Sequence, residues 1–195
     1  MHRLGTFATT LCLLSLSAAP PAAAGEPVER LTAFAVDLSS RTGGARSGTV
    51  DIVLDRWSTD AERDRLFAAL REGGSDALLR ALQDIDELGH IQSPGRLGYP
   101  LRFAREIPLP DGGRRLILAT DRPIGFLEAR AQTRTLDYPF AIIDIRLGAD
   151  GKGEGKLLPL AKVEAHSKHL VEVENYDIEP VRLTQVRALS KGEGS

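Results

Sequence analysis

GTVDIVLDRWSTDAERDRLFAALREGGSDALLRALQDID, residues 48–86, is the stretch that decides the fold. Its first third alternates, with Val50, Ile52 and Leu54 on one face of a strand that runs on through Arg56 and Trp57. The period then changes. Thr59-Asp60-Ala61-Glu62 has the spacing of a capping box, in which the threonine hydroxyl takes the amide three residues on and the glutamate reaches back, while Ser58 is an equally good cap one residue earlier. Leu66, Phe67 and Leu70 form one helical stripe, and Gly73-Gly74 supplies the left-handed residue that ends a helix. Ser75 caps a second helix carrying Leu78, Leu79, Leu82 and Ile85. The reading is a strand feeding a helical hairpin.

Outward from this stretch almost everything reads as antiparallel strand. Upstream, Leu31 to Leu38 alternates with Phe34, Val36 and Leu38 on one face, and the glycine-rich loop 39–47 folds it back onto the strand at 49–57. Downstream, Leu97, Tyr99, Leu101, Phe103 and Ile107 share a face, and Pro110-Asp111-Gly112 turns the chain into a hairpin partner at 115–120. Residues 122–137 resist assignment and are the natural covering loop. In the last third, the odd-numbered Ile143, Ile145, Leu147, Leu157, Ala161, Val163, Ala165, Val171, Val173, Val181 and Leu183 are apolar and are expected to face the core. A turn at Ser167-Lys168-His169 then sets Ala165 opposite Val171, Val163 opposite Val173 and Glu164 opposite Glu172. The fold class is α+β, one antiparallel sheet of about eight or nine strands, curved into an open barrel or a sandwich and covered by the helical hairpin.

The N-terminus reads as an address. His2 and Arg3 precede an apolar run from Leu4 to Ala19, and Ala22-Ala23-Ala24 provides the small residues of a cleavage site, so residues 1–24 are a secretory signal peptide. Residues 25–190 form a single domain, and 191–195 a polar tail expected to be disordered. Cys12 is the one cysteine of the chain, which leaves a cysteine-free mature protein, an export pattern common in the bacterial periplasm. With 25 basic and 27 acidic residues interspersed along the chain, nothing calls for nucleic acid, and no segment reads as membrane-spanning.

Chemistry-bearing constellations are sparse. The predicted meander brings His166, Glu164 and Glu172 to one outward face, a possible divalent-metal set that lacks a further neutral ligand. Residues 150–155 mimic a calcium loop, but Lys152 stands where an oxygen ligand belongs and Ala161 where the bidentate glutamate should be. No Gly-x-Ser-x-Gly elbow occurs. His90, close in sequence to Asp84, Asp86 and Glu87, is the candidate general base. Arg56 and Trp57 at the strand-to-helix junction offer a stacked cation or ligand platform, although Trp57 equally serves to staple the helix to the sheet. Arg114, Arg115, Arg122, Arg130 and Arg134 cluster around the unassigned segment and would form an anion-binding mouth if they converged, with Phe126 beside Arg122.

Arg56-Trp57-Ser58-Thr59-Asp60-Ala61-Glu62-Arg63, Leu109-Pro110-Asp111-Gly112-Gly113-Arg114-Arg115 and Ala119-Thr120-Asp121-Arg122-Pro123-Ile124-Gly125-Phe126 resemble stretches of a family of secreted or periplasmic bacterial proteins with no assigned function. The resemblance implies export and carries no activity or site residue. By elimination, the expected function is a non-enzymatic, exported protein that binds a small or lipid-like ligand or an envelope component, without a cofactor. The alternatives are a hydrolase using carboxylates or a bound metal, and a structural envelope protein.

Overall fold

A computed structural model describes residues 26–38, 46–124, 139–165, 171–175 and 179–189. The elements follow in the order β1 (Glu29–Asp37), β2 (Arg46–Leu54), α1 (Asp60–Gln83), β3 (Gly89–Gln92), β4 (Tyr99–Leu101), β5 (Phe103–Pro108), β6 (Arg114–Thr120), β7 (Phe140–Leu147), β8 (Lys152–Ala165), β9 (Val171–Asn175) and β10 (Val181–Ala188). The expected signal peptide, the polar tail, the loop at 39–45 and the turn at Ser167-Lys168-His169 lie outside the described residues, as does the unassigned segment beyond Ile124.

All strands belong to one antiparallel sheet ordered β4-β3-β2-β1-β10-β8-β7-β6-β5, with β9 added to β8. The two ends of that order are one strand. β4 and β5 are separated only by Arg102, where the chain changes partners: Leu101 O accepts from Leu88 N at 2.8 Å, and Arg102 N donates to Ala119 O at 2.9 Å. The sheet therefore curls into a nearly closed barrel rather than a sandwich. The interior is filled. Leu31, Ile52, Leu54, Leu116, Leu118, Ile143, Ile145 and Leu157 are each at most 1 % exposed, as a ring of about eight strands leaves room for side chains and little else.

One end of the barrel is closed by charge. Glu29 on β1 and Arg114 on β6, which stand across the ring from each other, form a two-pronged pair at 2.6 and 3.1 Å, and Glu106 joins Arg114 at 2.8 Å. The expected register of β8 and β9 is found, with Ala165 opposite Val171, Val163 opposite Val173 and Glu164 opposite Glu172, but Val173 does not face the core: it is 40 % exposed and lines an outer groove with Val163, because the irregularity between Leu158 and Ala161 exchanges the two faces of β8.

Three further expectations need correction. In place of a helical hairpin there is one helix, Asp60–Gln83, in which Gly73 and Gly74 take non-helical angles without a connecting loop. Gly74 sits at φ 65°, open to glycine at no steric cost. The bend is sharp: Arg65 reaches Asp84 at 2.6 Å, whereas a straight helix would hold them about 28 Å apart. On β1 the buried face is Leu31, Ala33 and Ala35, while Phe34 and Leu38 point outward, because the curved interior admits small side chains there. The single apolar face read from Leu97 to Ile107 is broken at Arg102: Leu101 and Ala104 are fully buried, but Leu97 and Ile107 are exposed.

Candidate functional site

α1 lies on the outside of the barrel, against the outer face of β5 to β8, and its position is fixed at both ends. At the start, Ser58 N donates to Ala104 O at 2.9 Å and Ala104 N to the Ser58 hydroxyl at 3.0 Å, so the residue before the cap is sewn into β5. The capping box forms as its sequence spacing dictates, with Glu62 N donating to Thr59 Oγ1 at 3.1 Å and Thr59 N to Glu62 Oε2 at 2.7 Å. At the far end Arg102 Nη1 donates to Ile85 O at 2.6 Å.

Between these anchors α1 and the sheet enclose a groove of about 430 Å³. Leu66, Leu70, Leu78 and Leu82 form its helical wall, and Phe103, Ile117, Ala119, Ile142 and Leu158 its sheet wall, with Val163 and Val173 of the β8–β9 ribbon at one side. Its charged rim is internally satisfied. Arg115 grips Asp144 at 2.8 and 2.7 Å, and Arg63 contacts Asp60 and Asp64 at 3.1 and 2.7 Å. The neighbouring carboxylates hold both guanidiniums firmly in the charged form. A sequence signal for this groove exists: Leu116 to Ala119 and Phe140 to Ile143 are runs of consecutive apolar residues, the mark of strands covered on both faces.

A second concavity, about 450 Å³, opens at the barrel end opposite the Glu29–Arg114 pair, and Arg122 lines it. The other candidates disperse. Both terminal guanidinium nitrogens of Arg56 donate to Glu62, at 3.0 and 2.8 Å, so this arginine braces the helix cap; Trp57 is half-buried against the core. His90 points outward from β3, its ring packed beside Gly98, and among the described residues it has no hydrogen-bond or ion-pair partner. Asp84, expected near it, pairs with Arg65. Glu164 is exposed and meets Lys162 at 2.5 Å; Glu172 faces it along the backbone, while His166 and Phe126 lie outside the described residues. Among the described residues no group of three or more His, Cys, Asp or Glu could hold a metal ion. The arginine cluster does not converge: Arg114 closes one barrel end, Arg115 lies at the groove, Arg122 is at the opposite end, and Arg130 and Arg134 are outside the described residues.

The Arg56–Glu62 brace makes a testable statement about acid. The Arg56 guanidinium, then the Thr59 amide and hydroxyl, outweigh desolvation and push the Glu62 carboxyl down from 4.5 to about 2. A carboxyl depressed in the folded state stabilises above its unfolded value and ceases to as pH falls through its folded one. Arg56 is 40 % exposed, so screening trims the pair, and Glu62→Gln is expected to cost about 1–2 kcal/mol at neutral pH. Urea titrations of the two proteins should diverge above pH 4.5 and converge as pH approaches 2. A gap that stays constant with pH would remove the carboxylate from the account.

Comparison with protein-family models, with curated proteins and with solved structures finds no match.

Proposed function

We propose that the protein is a non-enzymatic binding protein for an uncharged, elongated apolar molecule of lipid-like character, held between α1 and the outer face of β5 to β8. The groove carries this reading: its volume falls within the roughly 300–1,000 Å³ of small-molecule sites, and its walls are leucine, isoleucine, phenylalanine and alanine. The barrel interior is no rival, being packed with aliphatic side chains. The paired rim sets the ligand's charge. A charged guest would have to compete with Asp144 for Arg115 or with Arg115 for Asp144, whereas a neutral chain leaves both bonds intact. The basic start and apolar run of residues 2–19, followed by the alanines at 22–24, support export to the periplasm or beyond, where envelope lipids are the nearest source of such a chain.

The test uses the neutral fluorescent probe N-phenyl-1-naphthylamine and a variant that fills the groove. Leu78 is half-buried on the helical wall, so Leu78→Trp adds bulk towards the cavity without entering the barrel. The substitution is expected to weaken probe binding about tenfold or more. The thermal midpoint should stay within about 4 °C. Unaltered probe affinity in a folded Leu78→Trp protein would rule the groove out.

A further inference from the structure

The concavity at the open barrel end differs in kind from the groove. Its floor is the ends of inward-facing side chains, Val50, Ile91 and Ile124, all at most 4 % exposed. Ile124 is held there by its amide, which donates to Pro159 O at 3.1 Å. The only charged side chains among its described lining are two arginines, Arg96 and Arg122. Arg96 is exposed at the turn between β3 and β4, and among the described residues its guanidinium makes no ion pair. Arg122 meets Asp121 at 3.2 Å, but that carboxylate, 7 % exposed, is shared with Arg102 at 3.6 Å. Arg102 and Arg122 therefore share the one Asp121 carboxylate, and Arg96 lines the same recess with no acid of its own among the described residues. At the groove each arginine is met by its own acid, whereas the described lining here carries two arginines and no acid over an apolar floor, in a recess whose low-dielectric walls strengthen their field.

We propose that this barrel mouth is a second binding site, for a small organic anion whose carboxylate or phosphate-ester group is taken by Arg96 and Arg122 while a compact apolar body rests on Val50, Ile91 and Ile124. Guanidinium groups favour oxyanions through paired N–H donors, and a floor without donors or acceptors favours a hydrocarbon body. The site is independent of the groove, so a ligand in one does not require a ligand in the other.

Calorimetric titration with octanoate, octyl phosphate and octan-1-ol, each below its aggregation limit, separates the possibilities. At least one anion should bind the natural protein with one-to-one stoichiometry, and which of the two binds tighter distinguishes a carboxylate from a phosphate-ester ligand. In Arg96→Ala/Arg122→Ala the affinity for that anion should fall about tenfold or more, and in about 0.5 M salt the natural protein should lose most of the difference. Octan-1-ol should not distinguish the two proteins, and Leu78→Trp should retain anion binding. Equal anion affinity in the natural protein and the double variant would overturn the proposal. So would loss of anion binding in Leu78→Trp with retention in the double variant, which would move the anion to the groove. Probe binding by N-phenyl-1-naphthylamine is unaffected by either result, so the two sites stand or fall separately.

Discussion

Gly153→Ala is expected to cost about 3–5 kcal/mol, a large part of the total stability of about 5–15 kcal/mol for a domain of this kind. A Cβ at position 153 would stand 1.8 Å from Arg146 O, 2.8 Å from Arg146 C and 3.0 Å from Leu147 Cα. All three are backbone atoms, so no rotamer change relieves the clash. β7 must move away from β8, and Ile145 and Leu147, seated in the barrel interior, move with it. Gly155, two residues on, meets the Asp144 carbonyl at 2.6 Å in the same way, which marks this part of β8 as the place where the sheet is folded most tightly against its neighbour. Gly48→Ala is the control. Its Cβ meets nothing within 4 Å, and its stability should change by no more than about 0.5 kcal/mol. Urea unfolding followed by circular dichroism reads both, and a Gly153→Ala protein as stable as Gly48→Ala would mean that β7 and β8 are not as close as described.

Glu29→Ala should cost about 2–4 kcal/mol, less than a fully buried pair because the Arg114 side chain is 26 % exposed. Glu29 itself is 9 % exposed and bridges the ring from β1 to β6, so its loss leaves a half-buried guanidinium with Glu106 alone at the rim. Most of that cost belongs to the stranded charge and not to the value of the pair. The double variant Glu29→Ala/Arg114→Met therefore should recover about half of the loss or more, since methionine fills the space and brings no charge to strand. Denaturant midpoints of the two single variants and the double variant give the comparison. A double variant no better than Glu29→Ala would mean that the attraction between the two groups, and not the penalty of separating them, holds this end shut.

The parts of the fold that were legible in the sequence are those where one local pattern decides. Thr59 and Glu62 cap a helix through atoms three residues apart, and the short connection between Ala165 and Val171 leaves one close pairing of β8 with β9, the one found. The errors fall where curvature decides. On β1 the larger residues, Phe34 and Leu38, suggest a buried face, but tight closure puts Ala33 and Ala35 inside. At Arg102 the strand switches partners and its parity breaks, which no period-two pattern records. Gly73-Gly74 has the local pattern of a stop between helices, and it is a sharp bend within one. The groove was written in the doubly apolar strands β6 and β7, yet its other wall comes from α1, far away in the chain. Arg96 lies in Ser93-Pro94-Gly95-Arg96, a stretch that reads only as a turn; its chemistry arises from the end of the barrel to which that turn belongs.

The pairing of β1 with β10 has a kinetic consequence. The first strand of the barrel is hydrogen-bonded to the last, from Leu31 opposite Ala188 to Val36 opposite Arg182, so the ring stays open until nearly the whole chain has been made and brought together. Contacts between such distant segments repay their ordering entropy only late, which places folding in the slow regime of about milliseconds to seconds. During that interval β1 and β8 both present unpaired edges, and these are the strands through which a newly made chain would join another copy before it closes on itself.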